Sequence, residues 1–89
     1  MAVYHFSIIT PNGKVFDDQI ESLTAPGLLG SFGILASHAP MVNLLKEGTL
    51  KIKKEDTTQF YKITSGILEV GPKGEVVVLC DEAVETPSR

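Results

Sequence analysis

Apolar and polar positions alternate along most of this chain with a period of two. In YHFSIIT (4–10), Tyr4, Phe6 and Ile8 fall on one side, the spacing of a half-buried strand. TLKIKK (49–54) alternates more cleanly, with Leu50 and Ile52 facing inward and Lys51 and Lys53 outward. QFYKIT (59–64) sets Tyr61 and Ile63 against Phe60 and Lys62. KVFDDQIESLTA (14–25) reads as two short strand pieces. Ile20 and Leu23 are out of phase, which predicts a bulge or bend near Ser22. PMVNLL (40–45) and SGILEV (65–70) add two more strands. EVVVLCDEAVE (75–85) is the last strand-like run. Its Val76–Cys80 part is apolar on both faces, as expected in the middle of a packed structure.

Turn signals separate these runs about every ten residues: PNG (11–13), KEG (46–48), KEDTT (54–58) and GPKG (71–74). Asn-Gly is a strong hairpin signal. Pro72 and Gly74 suit the second and fourth places of a type I turn. No stretch keeps a helical period over three turns. The pattern predicts an all-β fold: a flattened sandwich of two sheets with eight to ten short, mostly antiparallel strands. The β-sandwich domain is expected over residues 1–85, followed by a polar tail at 86–89.

The chain has 89 residues, the length of one domain. Apolar residues make up 43% and charged residues 21%, well away from the composition of disordered chains. Eight Lys and Arg against eleven Asp and Glu give a net charge of -3, which argues against nucleic acid as a partner. Its one basic cluster, Lys51, Lys53 and Lys54, is followed at once by Glu55 and Asp56. The single cysteine, Cys80, lies in an apolar run and reads as a small buried hydrophobe. One cysteine cannot form a disulfide within the chain, which fits a reducing compartment. The amino terminus lacks the features of a signal peptide. No apolar run approaches the ~18 residues of a membrane helix.

The stretch GLLGSFGILASHAPM (27–41) carries the candidate chemistry. Gly27, Gly30 and Gly33 recur every third residue. A dinucleotide loop needs a different spacing and a following helix, and a phosphate loop needs a lysine; none lies between Lys14 and Lys46. Ser37 and His38 are adjacent, and neighbours on a strand point to opposite faces. No acid or nucleophile motif completes a catalytic set. His5 and His38 are far apart in sequence, and no cluster has metal-ligand spacing. What remains is an apolar, glycine-shaped loop. Leu28, Leu29 and Phe32 exposed together would mark a partner site; tucked inward, they would cap the sandwich.

GLLGSFGILASHAPMVNLLKEGTLKIK (27–53) resembles the signature region of the epsilon subunit of F-type ATP synthases. The likeness extends through VYHFSIITPNGKVFDDQIESLTAPG (3–27) and TSGILEVGPKGEVVVLCDEA (64–83). The resemblance implies a non-catalytic rotor subunit of the central stalk, with no cofactor, metal or nucleotide site. It links the gamma subunit to the membrane c-ring and couples proton transport to ATP synthesis. It implies a ring-facing loop of Leu28, Leu29, Gly30, Ser31 and Phe32, and a gamma-facing strip of Thr10, His38, Met41 and Asn43. The expected location is peripheral, on the cytoplasmic face of a bacterial plasma membrane or the equivalent face of another energy-transducing membrane. The alternative is a free-standing β-sandwich that binds an unrelated partner.

The chain departs from the family pattern at three places. Ser31 stands where an acidic residue is frequent. Ala36-Ser37 replaces the usual Pro-Gly before the histidine. The chain stops at Arg89, near where two carboxy-terminal helices usually begin, so their regulation and ATP binding are not carried over. The ending ETPSR is expected to be that of a short form.

Overall fold

A computed structural model describes residues 2–87. Of the expected polar tail, Ser88 and Arg89 lie outside the described residues. Ten strands occupy the chain: β1 (Tyr4–Thr10), β2 (Gly13–Ile20), β3 (Ser22–Gly27), β4 (Gly30–Leu35), β5 (Met41–Leu45), β6 (Gly48–Lys54), β7 (Thr57–Ile63), β8 (Gly66–Val70), β9 (Val76–Cys80) and β10 (Ala83–Thr86). The described residues contain no helix. All but one of the pairings are antiparallel, the exception being β1 with β9.

Hydrogen bonds run through one path, β10-β7-β6-β3-β5-β8-β9-β1-β2, with β4 added to β3. The expected two separate sheets are therefore one sheet folded over. Its halves, β4-β3-β6-β7-β10 and β5-β8-β9-β1-β2, meet at a single paired position, Gly27 opposite Leu45. Nor is the molecule flattened: its extents are 28 × 27 × 26 Å. The inner faces of the halves make the core, where Phe6, Ile8, Ile20, Leu23, Leu50 and Ile52 are fully buried. Each such side chain stabilises the fold by roughly 1.5–3 kcal/mol. Phe16 bridges the halves, with ring centroids 5.7 Å from Phe6 and 5.8 Å from Tyr61.

The alternation in β1, β6 and β7 sets burial as the sequence predicts. Phe6, Ile8, Leu50, Ile52, Tyr61 and Ile63 are buried, and Lys51, Lys53 and Lys62 are exposed. The bend near Ser22 is present, at Glu21, between β2 and β3. The first hairpin is centred one residue earlier than the Asn-Gly signal implies: Pro11 and Asn12 form the loop, and Gly13 (φ +118°) opens β2 opposite Thr10. The GPKG turn closes with a 3.1 Å bond from the Gly74 N–H to the Gly71 carbonyl.

Three further expectations are corrected. Residues 27–35 do not form a loop; they complete the β3–β4 hairpin, in register from Ser22 opposite Leu35 to Gly27 opposite Gly30. The run 75–85 breaks at Asp81-Glu82 into β9 and β10, and β10 crosses to pair with β7 as far as Thr86. Val76–Cys80 is not enclosed on both faces. Val76, Val78 and Cys80 point inward, while Val77 is half-buried and Leu79 is exposed.

Candidate functional site: a leucine tip and an adjoining apolar face

The β3–β4 hairpin places Leu28 and Leu29 at a two-residue tip. Both are solvent-exposed, at 54% and 104% of the full residue surface. Glycines on either side shape this turn. Gly30 adopts φ +137°, a conformation that L residues with a Cβ avoid. Gly27 is needed for space: a Cβ there would lie 2.8 Å from the Gly30 carbonyl oxygen and 2.9 Å from two carbons of the Phe32 ring. Phe32 is half-buried and packs against the core, opposite Ala25. It therefore supports the tip from beneath, whereas Leu28 and Leu29 stand clear. Gly30 and Ser31 are exposed beside them.

The base of the tip is held from the side. The Leu28 N–H donates to the Leu44 carbonyl at 3.2 Å, and the Lys46 N–H to the Pro26 carbonyl at 2.9 Å. These bonds fix the tip to the end of β5. An exposed tip thus has a rigid foundation.

The residues of the expected gamma-facing strip do not gather into one patch. Thr10 is buried at the end of β1. Its hydroxyl accepts the Asn12 N–H at 3.2 Å and donates to the Gly13 carbonyl at 3.3 Å, so it is spent on the hairpin turn. Met41 packs against the core, and Asn43 is half-buried on the same side of β5. His38 is half-buried in the 36–40 connection, not on a strand. Its Nδ1 lies 2.8 Å from the Ala39 carbonyl oxygen and so carries the proton there. Ser37 precedes it at φ +67°. His38 and His5 line one depression of about 670 Å³, but His5 pairs with Asp17. Among the described residues no group of three or more potential ligands could hold a metal.

What β5 shows outward is Val42 and Leu44, 67% and 52% exposed. The register continues this apolar surface across the half-sheet. Leu44 lies opposite Ile67, Ile67 opposite Leu79, and Leu79 opposite Ile9. Val42 begins the next row, opposite Glu69, which faces Val77. Contiguous apolar surface of this kind marks an interaction site. Sequence reading missed it. The available signal was that MVNLL and VVVLC are apolar at both parities, so one face had to remain uncovered or be covered by something else.

Comparison with known proteins agrees with this arrangement of strands. Residues 3–86 match the family described as "ATP synthase, Delta/Epsilon chain, beta-sandwich domain". The chain is 40% identical over 85 residues to the ATP synthase epsilon chain of Caulobacter vibrioides, covering 96% of this chain and 98% of that one. It is 39% identical to the epsilon chain of Aliarcobacter butzleri, covering 94% of this chain and 66% of that one. It is 35% identical to that of Priestia megaterium, covering 97% and 63% respectively. The chain thus spans the length of the first relative but just under two thirds of the other two. The fold recurs in the cryo-EM structure of the Euglena gracilis mitochondrial ATP synthase, OSCP/F1/c-ring (TM-score 0.88, 24% identity, covering 96% of this chain and 54% of that one). Matching architecture over this length and identity of 35–40% to these epsilon chains lead to one assignment: this chain belongs to the delta/epsilon-chain β-sandwich family of ATP synthase.

Proposed function

We propose that this chain is a non-catalytic rotor subunit of the central stalk of an F-type ATP synthase. It links gamma to the c-ring, so that ring rotation driven by proton flow is passed on to the catalytic head. The observation that carries this reading is the Leu28-Leu29 tip: two leucines held in water on a braced hairpin, a costly arrangement unless something covers them. The ring-facing surface is this tip with Gly30 and Ser31, and Phe32 acts as its support. The gamma-facing surface is the row Leu44, Ile67, Leu79 and Ile9 with Val42. Asn43 and Met41 shape its strand from below, and His38 stands at its far end. Ser31 offers the ring a hydroxyl and no charge.

The two surfaces meet where Leu28 is bonded to Leu44. A standard interface takes about 800 Å² from each partner. Against a total surface of 5332 Å², both can be occupied at once. The folded-over sheet acts as two packed layers, cross-bonded and dense, and deforms little under torque. In this reading the chain is peripheral to the membrane, on the cytoplasmic face in a bacterium, and held there through the complex.

The test is Leu28→Asp with Leu29→Asp, assembled with the remaining subunits in vesicles. Proton-driven ATP synthesis should fall severalfold while the isolated chain keeps its melting temperature. Unchanged synthesis would overturn the ring-facing role. A pull-down that recovers a single unrelated protein, without gamma or ring, would favour a free-standing binding module.

A further inference from the structure

The opposite outer face has a different character, and nothing above assigns a role to its lysines and threonines; Ser31, at its edge, is shared with the ring-facing tip. On β3, Thr24 points outward between buried Leu23 and Ala25. On β6, Lys51 does so between buried Leu50 and Ile52, and on β7, Lys62 between Tyr61 and Ile63. The register brings these residues together: Thr24 is opposite Lys51, Ser22 opposite Lys53, Thr49 opposite Lys62 and Lys51 opposite Phe60. Lys51 and Lys53 are two residues apart on one strand, and Lys62 is diagonal to Lys51. Their Cα atoms are therefore about 7 Å apart.

Lysines this close repel each other, and the carboxylates of the described residues do not pair with them. The three ion pairs among the described residues use His5, Lys14 and Lys54. Acidic residues approach this face only at its rim. Glu21 shares a shallow depression with Lys53, Glu47 precedes β6, and Glu55 and Asp56 form the β6–β7 turn. Glu85 accepts a hydrogen bond from Gln59, on the inward side of β7 and β10. In a chain with a net charge of -3, three lysines are thus gathered on one face, and among the described residues none of them forms an ion pair.

The centre of the face is concave. A depression of about 520 Å³ is lined by Thr24, Pro26, Ser31, Thr49 and Lys51. It exists partly because Gly33, opposite Thr24, contributes no side chain. Two threonines, a serine and a lysine line it, and no acidic residue does.

We propose that this face is an anion-binding surface whose occupant is an acidic segment of a partner protein, with a carboxylate seated between Lys51 and the Thr24, Ser31 and Thr49 hydroxyls. A concave site with donors on its floor takes an inserted side chain, whereas a bilayer presents a plane. Phe60 and exposed Val84, set among the lysines, give apolar contact to the stems of such a segment. The proposal shares Ser31 with the ring-facing tip and otherwise rests on Thr24, Thr49 and Lys51, which lie outside it.

The experiment is an NMR titration of the ¹⁵N-labelled chain with a deca-glutamate peptide at low salt. Saturable shifts are expected at Thr24, Ser31, Thr49 and Lys51, weakening as salt is added. In Lys51→Gln with Lys62→Gln, affinity should fall about fivefold at unchanged melting temperature; Lys73→Gln should bind as the parent does. Three results would overturn the proposal: no saturable shifts at these residues, equal affinity in the double variant, or occupancy by phosphatidylglycerol vesicles or inorganic phosphate with the peptide inert.

Discussion

The Tyr4 hydroxyl donates a 2.7 Å hydrogen bond to the Ile34 carbonyl. It joins β1 in one half of the folded sheet to β4, a strand paired only with β3, in the other. The bond is buried, so its loss leaves a carbonyl unsatisfied. Tyr4→Phe should cost about 1–2 kcal/mol, measured by urea denaturation. Amide exchange in Phe32–Leu35 should speed up more than in β6, which the bond does not touch.

The same tyrosine should make the fold alkali-sensitive. Burial pushes the Tyr4 hydroxyl well above its ordinary range, and Tyr61 is raised by burial and by the charge of Glu85. A pKa raised in the folded state contributes stability that is complete below the unfolded value of about 10 and is lost as pH rises beyond it. Melting temperature should therefore fall between pH 9.5 and 11.5. The decline should be shallower in Tyr4→Phe, and an unchanged decline would refute Tyr4's part in it.

At Gly27 the constraint is steric. An added methyl meets the Gly30 carbonyl and the Phe32 ring at under 3 Å, and the ring is held by the core beneath it. Gly27→Ala should destabilise by about 1–3 kcal/mol and displace the tip, seen as shifted Leu28 and Leu29 methyl resonances. Leu29→Asp, at a fully exposed position, should change stability by no more than about 0.5 kcal/mol.

How much of this was legible in the sequence depends on what each residue's pattern encodes. β1, β6 and β7 are readable because their buried apolar residues (Tyr4, Phe6 and Ile8; Leu50 and Ile52; Tyr61 and Ile63) recur with a period of two. β4 is not. Gly30 and Gly33 are poor strand formers, and they are accommodated through long-range features invisible to local pattern: pairing along all of β3, and Tyr4 thirty residues away. The leucine tip was narrowed to two outcomes, and the structure leaves both leucines outside. The gamma-facing strip came from resemblance alone. Parity on β5 turns Met41 and Asn43 inward and presents Val42 and Leu44. Apolar residues at both parities of β9 read as full burial, because a one-chain pattern does not distinguish a core from a face awaiting a partner.

That uncovered face gives a prediction that separates folding from assembly. Ile67 and Leu79 lie opposite each other and are 41% and 45% exposed. Ile67→Lys with Leu79→Lys places two charges in the middle of the row. Urea denaturation should show a small change, about 1 kcal/mol or less, while copurification with gamma should be lost. Retained copurification would move the gamma contact elsewhere.

Acid should weaken the fold through β2. Asp17 accepts a hydrogen bond from Lys14 at 3.1 Å and pairs with His5; Asp18 pairs with Lys54 and accepts the Gln19 N–H at 2.7 Å. Lys14 and then His5 lower the Asp17 carboxyl, and Lys54 and then the Gln19 amide lower that of Asp18. A depressed folded-state pKa contributes stability that is present above the unfolded value of about 3.9 and disappears as pH falls through the folded one. Melting temperature should accordingly drop from pH 4 towards pH 2. The Asp18–Lys54 pair spans the two halves, from β2 to the end of β6, so protonating Asp18 also loosens their closure. Both carboxylates face solvent, so the effect is modest and is screened by salt. Asp18→Asn should flatten part of the acid slope, and 0.5 M salt should flatten it in the parent chain. An acid slope identical in Asp18→Asn would place the sensitive group elsewhere.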